Sequence, residues 1–299
     1  MTTGTTTSTF AFDGIGTQWE VVTASPLGPR LRQRVLDRVE RFDHAWSRFR
    51  DDSLVTRLAR EGGAATFPEE AGSLFELYDR LHDATDGAVD PLVGRDLELL
   101  GYDAGYSLVP ASRELAEQHR ARGRRRWSVD VRRDDRTLSL AEPTVIDVGA
   151  AGKGLLVDLL TDLLLEEGAD VTVVDGGGDL RVVGRCPVRV GLEHPWAPDR
   201  AVGVVTLSGG AALCASSTTH RAWGPGLHHV LDGRTGRPVR GVVATWVVAA
   251  DAVTADGIAT ALFSTPPARL AHDFAFSSVL MRDDGILDTW GDLPGETFS

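Results

Sequence analysis

Strand-length apolar stretches crowd together in the second half of this chain. Residues 171–174, 180–183, 188–192 and 202–207 follow one another with no helix-length segment between them. Grouped strands with helices elsewhere therefore favour an α+β architecture over a regular β-α-β alternation. The rest of the chain agrees. "TQWEVVT" (17–23) alternates as a strand, and residues 31–49 carry helical spacing at Leu31, Val35, Val39 and Phe42. A second helix is expected over 69–85, with Leu74, Leu77 and Leu81 on one face. Two short strands flank the "RRDDR" turn in 129–140. The near-continuous apolar run 242–250 has strand length and leads into a helix over 251–263.

At 299 residues and 42% hydrophobic content the chain can bury a large core. Length alone allows two domains of roughly 150 residues. No linker, repeat or low-complexity tract divides it, so a single elaborated domain over 1–299 is expected, with residues 1–10 outside regular structure.

The net charge of −12 argues against nucleic acid as a partner, because phosphate backbones call for clustered cations. The one basic cluster, "HRARGRRRW" (119–127), reads as a solvated helix end and loop. Cys186 and Cys214 have no metal or CxxC spacing and read as isolated buried thiols. The first sixteen residues show no basic start, apolar core or cleavage pattern, and no run approaches about 18 apolar residues. A cytoplasmic protein without a membrane span is expected.

The stretch "TVIDVGAAGKGLLVDLLTDLL" (144–164) resembles a phosphate-gripping turn at the start of an amphipathic helix. A P-loop needs a glycine where Asp147 stands and a hydroxyl where Gly154 stands, so that device is excluded. Gly149 to Gly154 does not fit a dinucleotide fingerprint either. The later "DGGGDLRVVG" (175–184) has the glycines but runs into a strand. All but one of the 31 basic residues are arginine, and the exception, Lys153, sits in this turn.

Three further segments carry candidate chemistry. In "VTADGIATALFS" (253–264), Asp256 and Thr260 are i and i+4 on a helix, so their oxygens share one face. A carboxylate and a hydroxyl with backbone carbonyls nearby make a hard-oxygen set for Mg²⁺. A threonine bonded to its own backbone and an aspartate acting as a cap are the plain alternatives. In "GLHHVLDGRTGRPV" (226–239), His228 and His229 enter a short strand before a glycine-rich turn. No third ligand at zinc spacing accompanies them. In "TDGAVDPLVG" (85–94), Asp90-Pro91 reads as a turn with Asp90 as its cap.

Taken together, "GIGTQW", "WSRFRDDSLVTRL", "GAVDPLVG", "IDVGAAGKGLLVD", "DGGGDLRVVG", "HHVLDGRTGRPV" and "ADGIATAL" occur in one order along the chain. In this the chain resembles the ApbE family, the magnesium-dependent FAD:protein FMN transferases. The resemblance covers nearly the whole chain. It implies a T-fold-like α+β domain of mostly antiparallel sheets with packed helices. It also implies Mg²⁺ bound by Asp256, Thr260 and the carbonyl of Ala150. FAD, the substrate, would touch Ala88, Val89, Asp90, Asp147, Lys153 and Val230, with Ile15 and Phe49 facing the flavin. The activity implied is transfer of FMN to a Thr or Ser hydroxyl of a client protein, with AMP released. His229 is the candidate for proton transfer or phosphate contact, since imidazole titrates near neutral pH.

The chain departs from the family pattern in several places. Ile15 replaces a methionine and Phe49 a tyrosine, and Asp232 to Gly236 stands where the family has Asp-Pro-x-Thr-Gly. The segment 215–221 keeps one serine and Arg221 of the family's Thr-Ser-Gly-Asp-Tyr-Glu-Arg. That change bears on substrate handling and leaves open an FAD pyrophosphatase giving FMN and AMP, or a non-catalytic FAD-binding protein. Family members are commonly exported and lipid-anchored, whereas no lipid-attachment cysteine is seen here.

Overall fold

The computed structural model describes residues 7–184 and 186–298, without the side chain of Arg120. Eight strands form the main sheet: β1 (Ser8–Gly14), β2 (Thr17–Thr23), β3 (Val171–Asp175), β4 (Asp179–Val182), β5 (Ala212–Ser217), β6 (Val242–Ala249), β7 (Ser277–Arg282) and β8 (Leu287–Trp290). They lie side by side in chain order, and every neighbouring pair is antiparallel. The sheet is a meander into which other elements are inserted; of the strands grouped in the sequence, 171–174 and 180–183 join it, and 188–192 and 202–207 lie in a separate sheet. Of the start expected to be irregular, residues 1–6 lie outside the described residues, and Ser8–Phe10 belong to β1.

The largest insertion, between β2 and β3, carries helices α1 (Pro29–Trp46), α2 (Ala71–Ala84) and α3 (Gly152–Glu166). It also carries a small sheet of Gly63–Thr66, Thr137–Leu140 and Val131–Asp134. Helix α1 begins at a proline, whose missing N–H costs nothing there, and buries Val35, Val39, Phe42, Ala45 and Trp46 along one stripe. Between β4 and β5 a hairpin of Val188–His194 and Ala197–Leu207 forms a three-stranded sheet with Gly295–Thr297. Helix α4 (Ala252–Ala261) follows β6, capped by Asp251, which accepts the Thr254 N–H at 2.8 Å.

Strand alternation divides two cores. Trp19, Val21, Val174, Cys214 and Val247 face the helices, where Leu155, Leu156 and Ile258 cover them. Leu180, Val182, Leu213, Trp246 and Val279 face the hairpin sheet, against Leu192, Val202 and Val205. The sheet is therefore covered on both faces, and open space remains where the insertions meet.

Two expectations need correction. Helix α3 is not amphipathic: Leu155, Leu156, Val157, Leu160 and Leu164 are buried on several sides because α1, α4 and the sheet all pack on it. Cys214 is buried as expected, but Cys186 is exposed. Gly154 is required by the close approach of α3 to α4, since a Cβ there would stand 2.2 Å from the Ala252 carbonyl oxygen. No helix among the described residues is long and apolar enough to cross a membrane.

Candidate active site

A cleft of about 640 Å³ opens between the start of α3, the α4 face, the loop after α2, the end of β5 and the hairpin. A smaller cavity of about 300 Å³ adjoins it and shares Gly16, Phe49, Asp147, Gly149, Lys153 and Arg221 with it. Every residue assigned to the metal, to FAD or to proton transfer lines the larger cavity except Ile15, which lines the smaller one, whereas His228 lines neither. Segments far apart in the chain thus converge on one place.

The three residues assigned to a metal all line the cleft at the joint of α3 and α4. Thr260 Oγ1 donates to the Ala150 carbonyl at 3.3 Å. Asp256, one turn earlier on the same face and 4% exposed, accepts the Gly154 N–H at 2.9 Å. It is neither a cap of its own helix nor solvated. Burial, and then the nearby Asp179 carboxylate, push the Asp256 carboxyl well above the usual range, against the opposing pull of Lys153.

Lys153 lines both cavities, but its ammonium is ion-paired with Asp179, which is fully buried. The other Asp179 oxygen accepts the Ala215 N–H at 3.2 Å. Burial opposes the lysine's charge, and the carboxylates of Asp179 and Asp256 more than reverse that, keeping it protonated. The lone lysine is therefore a structural tie from α3 to the sheet as well as a cleft residue.

Asp147 accepts Arg48 Nε at 2.6 Å and the Gly149 N–H at 2.7 Å. Burial raises its carboxyl, but Arg48 outweighs burial and holds it below the ordinary range. The Arg48 guanidinium lies over the Phe49 ring at 4.2 Å and the Tyr102 ring at 4.9 Å. Phe49 stacks in turn on Tyr106, centroids 4.9 Å apart.

Ile15 and Gly16 close the β1–β2 hairpin, both with positive φ, at +42° and +77°. A two-residue hairpin turn wants this handedness to match strand twist. A β-branched residue pays for it with strain on the order of 1–3 kcal/mol. The strained side chain is the one beside the smaller cavity.

At the other end, both oxygens of Asp90 are taken by backbone: Leu92 N–H at 2.8 Å and Trp127 N–H at 3.0 Å. Asp90 shapes the loop, as a cap should. Burial raises its carboxyl. The Ala88 carbonyl accepts the Gly233 N–H at 2.7 Å, which ties the glycine-rich turn to this loop, and Val230 lines the same cleft. Arg124 of the basic cluster donates to the Gly233 carbonyl at 3.0 Å and pairs with Asp96. Arg124 is thus spent on structure.

His228 and His229 precede the two-residue strand Leu231–Asp232, and His228 itself makes an isolated bridge to Ala222. His228 Nε2 lies 3.1 Å from the Val239 carbonyl, a structural role. His229 lines the cleft, and its Nδ1 is buried with no partner. Burial, with Arg221 and His228 adding to it, pushes its pKa down to about 3. The ring is therefore neutral where a free histidine, near 6.5, would titrate. Accordingly, kcat/KM for FAD, which reports the free enzyme, should show no histidine limb near pH 6.5. A limb there that vanishes in His229→Gln would show a solvated ring instead. The sign for stability is the reverse of a salt-bridged histidine. The unfolded chain binds this proton first, so the contribution is present above about 6.5 and is lost as pH falls towards 3.

Arg48 and Asp179 were not singled out from the sequence. Both flank residues that were: Arg48 precedes Phe49 in "WSRFR", and Asp179 ends the "DGGGD" run. Their partners, Asp147 and Lys153, are 99 and 26 residues away.

Fold and cleft define a class: an antiparallel α+β fold whose cleft is lined by one carboxylate, one hydroxyl and one carbonyl at a helix joint. The sequence profile described as "ApbE family" matches residues 15–275, and the chain belongs to that family. An FAD:protein FMN transferase of Vibrio cholerae is 29% identical over 273 residues, covering 85% of this chain and 80% of that protein. One of Rhodobacter capsulatus is 30% identical over 274 residues, covering 87% of this chain but only half (50%) of that longer relative. Among solved structures, the ApbE protein of Thermotoga maritima superposes with a TM-score of 0.82 at 26% identity, over 95% of this chain and 97% of that one.

Proposed function

We propose that this protein is an FAD:protein FMN transferase that moves FMN from FAD onto a Thr or Ser hydroxyl of a client protein and releases AMP. The observation that carries the reading is the convergence of Ala150, Asp256 and Thr260 inside a cleft lined by the residues assigned to FAD. Among the described residues, no three His, Cys, Asp or Glu side chains gather as a ligand set. A cation here would rest on one carboxylate, a hydroxyl and a carbonyl, which are the hard oxygens Mg²⁺ prefers, with phosphate oxygens completing the shell. The residues present fit the ion. When bound, Mg²⁺ would offset charge on the pyrophosphate oxygens.

The chain's own residues supply the rest. Ala88, Val89, Asp90 and Val230 hold one end of FAD, Ile15 and Phe49 face the flavin, and Asp147 and Lys153 lie between. The client hydroxyl oxygen bonds to the FMN-side phosphorus, the pyrophosphate P–O bond breaks, and AMP leaves with the electron pair. His229, neutral and with a buried ring nitrogen free of protein partners, is the candidate to take the hydroxyl proton or to contact the phosphate. Phosphoryl transfer asks mainly for positioning and charge stabilisation, so a sparse site suffices.

The altered segment 215–221 favours a second reading, hydrolysis of FAD to FMN and AMP. Ser216, Ser217, His220 and Arg221 all line the cleft, and His220 lies 3.3 Å from Glu193 of the hairpin. Mass spectrometry of a candidate client after incubation with the protein, FAD and Mg²⁺ separates the cases. A covalent gain of FMN supports transfer. Free FMN and AMP alone would move the assignment to hydrolysis, and unchanged FAD to binding without chemistry.

A further inference from the structure

Two strand edges reach the larger cleft with backbone groups that, among the described residues, have no strand opposite. The first belongs to β5, which pairs with β6 along its whole length but with β4 only over Ala212–Cys214. Backbone direction alternates along an antiparallel strand, and neighbouring bonds fix the phase. The Ala211 carbonyl accepts the Val182 N–H at 3.0 Å, and the Ala215 N–H donates to the Gly178 carbonyl at 3.2 Å. Odd-numbered residues therefore address β4. The Thr218 N–H donates to the Val243 carbonyl at 2.9 Å, so even-numbered residues address β6. Ser217 thus turns its N–H and C=O to the β4 side, where the chain has already bent away: the Gly176 N–H bonds back to the Asp179 carbonyl at 2.8 Å. The second edge is Val188–His194, which pairs with Ala197–Leu207 on one side only. The Thr206 N–H donates away from it, to the Pro294 carbonyl at 2.7 Å. Thr206 lies opposite Arg189 and Val204 opposite Gly191. The same alternation turns the Gly191 N–H and C=O to the free edge.

We propose that the client presents its acceptor hydroxyl on an extended segment that adds as a strand in this cleft, its backbone pairing with Ser217 and Gly191. This mode of docking rests on the transferase reading above and names how its partner is held. Open strand edges are templates for another strand, and main-chain bonds then supply the affinity. Ser217 and Gly191 line the same cleft as Asp256 and Thr260, so a segment paired there carries its hydroxyl into the reaction site. Each offers one donor and one acceptor, and a polypeptide backbone brings one of each on every residue. Both edges lie within the cleft, whose walls are joined where His220 stands 3.3 Å from Glu193. A single segment can enter such a place, whereas the edge of a second folded copy cannot.

Short synthetic peptides, each with one central threonine and varied elsewhere among Ala, Gly, Val and Asp, test this with FAD and Mg²⁺. Mass spectrometry finds those that gain FMN. The best acceptor is then remade with single backbone N-methyl groups and, separately, with single alanine replacements away from the threonine. N-methylation beside the threonine should raise the peptide KM about three- to tenfold per group, the range for one neutral hydrogen bond. The alanine replacements should change it less. Ser217→Pro and Gly191→Pro each delete one N–H that addresses an open edge, where a strand tolerates proline. Each should raise the peptide KM by a similar factor while FAD affinity stays at the wild-type value. An unchanged KM for the N-methylated peptides overturns the docking mode on the wild-type protein alone, whether or not the proline variants fold. An unchanged KM in both folded proline variants, or a parallel loss of FAD affinity in both, overturns the assignment to Ser217 and Gly191. A set in which no peptide gains FMN overturns the extended-segment mode, and the transferase reading then stands or falls separately on the intact client.

Discussion

Asp256→Asn should lower FMN transfer by on the order of a thousandfold, because it removes the one anionic oxygen of the proposed metal set, worth several kcal/mol of charge stabilisation. Asp256→Ala should lose as much activity, yet the two variants should differ in stability. The carboxylate accepts the Gly154 N–H at 2.9 Å in a buried site. Alanine leaves that donor unpaired, at about 1–3 kcal/mol. Asparagine keeps a carbonyl for it and also removes the repulsion from Asp179 that helps raise the Asp256 carboxyl. The asparagine variant should therefore melt near or above the wild type, and the alanine variant below it. Initial rates over a Mg²⁺ series, with melting curves, check both parts. A wild-type rate for Asp256→Asn at limiting Mg²⁺ would sink the metal assignment.

Lys153→Met should give the largest loss of stability of any single change at the site. A cation in the first turn of α3 is mildly unfavourable, by roughly 0.3–1 kcal/mol, and by that measure alone methionine would stabilise. The ion pair with Asp179 decides the matter the other way, since Asp179 is fully buried. Removing one partner of a buried pair costs about 3–5 kcal/mol, because the other charge is stranded. At about 2–4 °C per kcal/mol for a chain of this size class, the melting temperature should fall by roughly 6–20 °C. Replacing Asp179 by leucine in the same chain should recover most of the loss, as removing both partners of a buried pair is often neutral. A Lys153→Met protein that melts at or above the wild type would show that the pair carries no structural weight.

What could be read from the sequence was whatever depends on spacing along one element. The strand Thr17–Thr23 matched residue for residue, and the apolar stripe of α1 lies where Val35, Val39 and Phe42 put it. Asp256 and Thr260 share a face because i and i+4 do so on any helix. The α+β class also followed from the grouping of the strands, but their order in the sheet did not. Tertiary structure alone decided the partners. Thr260 meets the carbonyl of Ala150, Asp256 meets Gly154, Arg48 meets Asp147, and Trp127 completes Asp90. It also decided that α3 would be buried on several sides, and that the lone lysine would be tied to the sheet before any ligand arrives. The physical reason is the same in each case. Periodicity states which face of an element must leave water, but which other element covers that face depends on sheet order and helix packing across the whole chain.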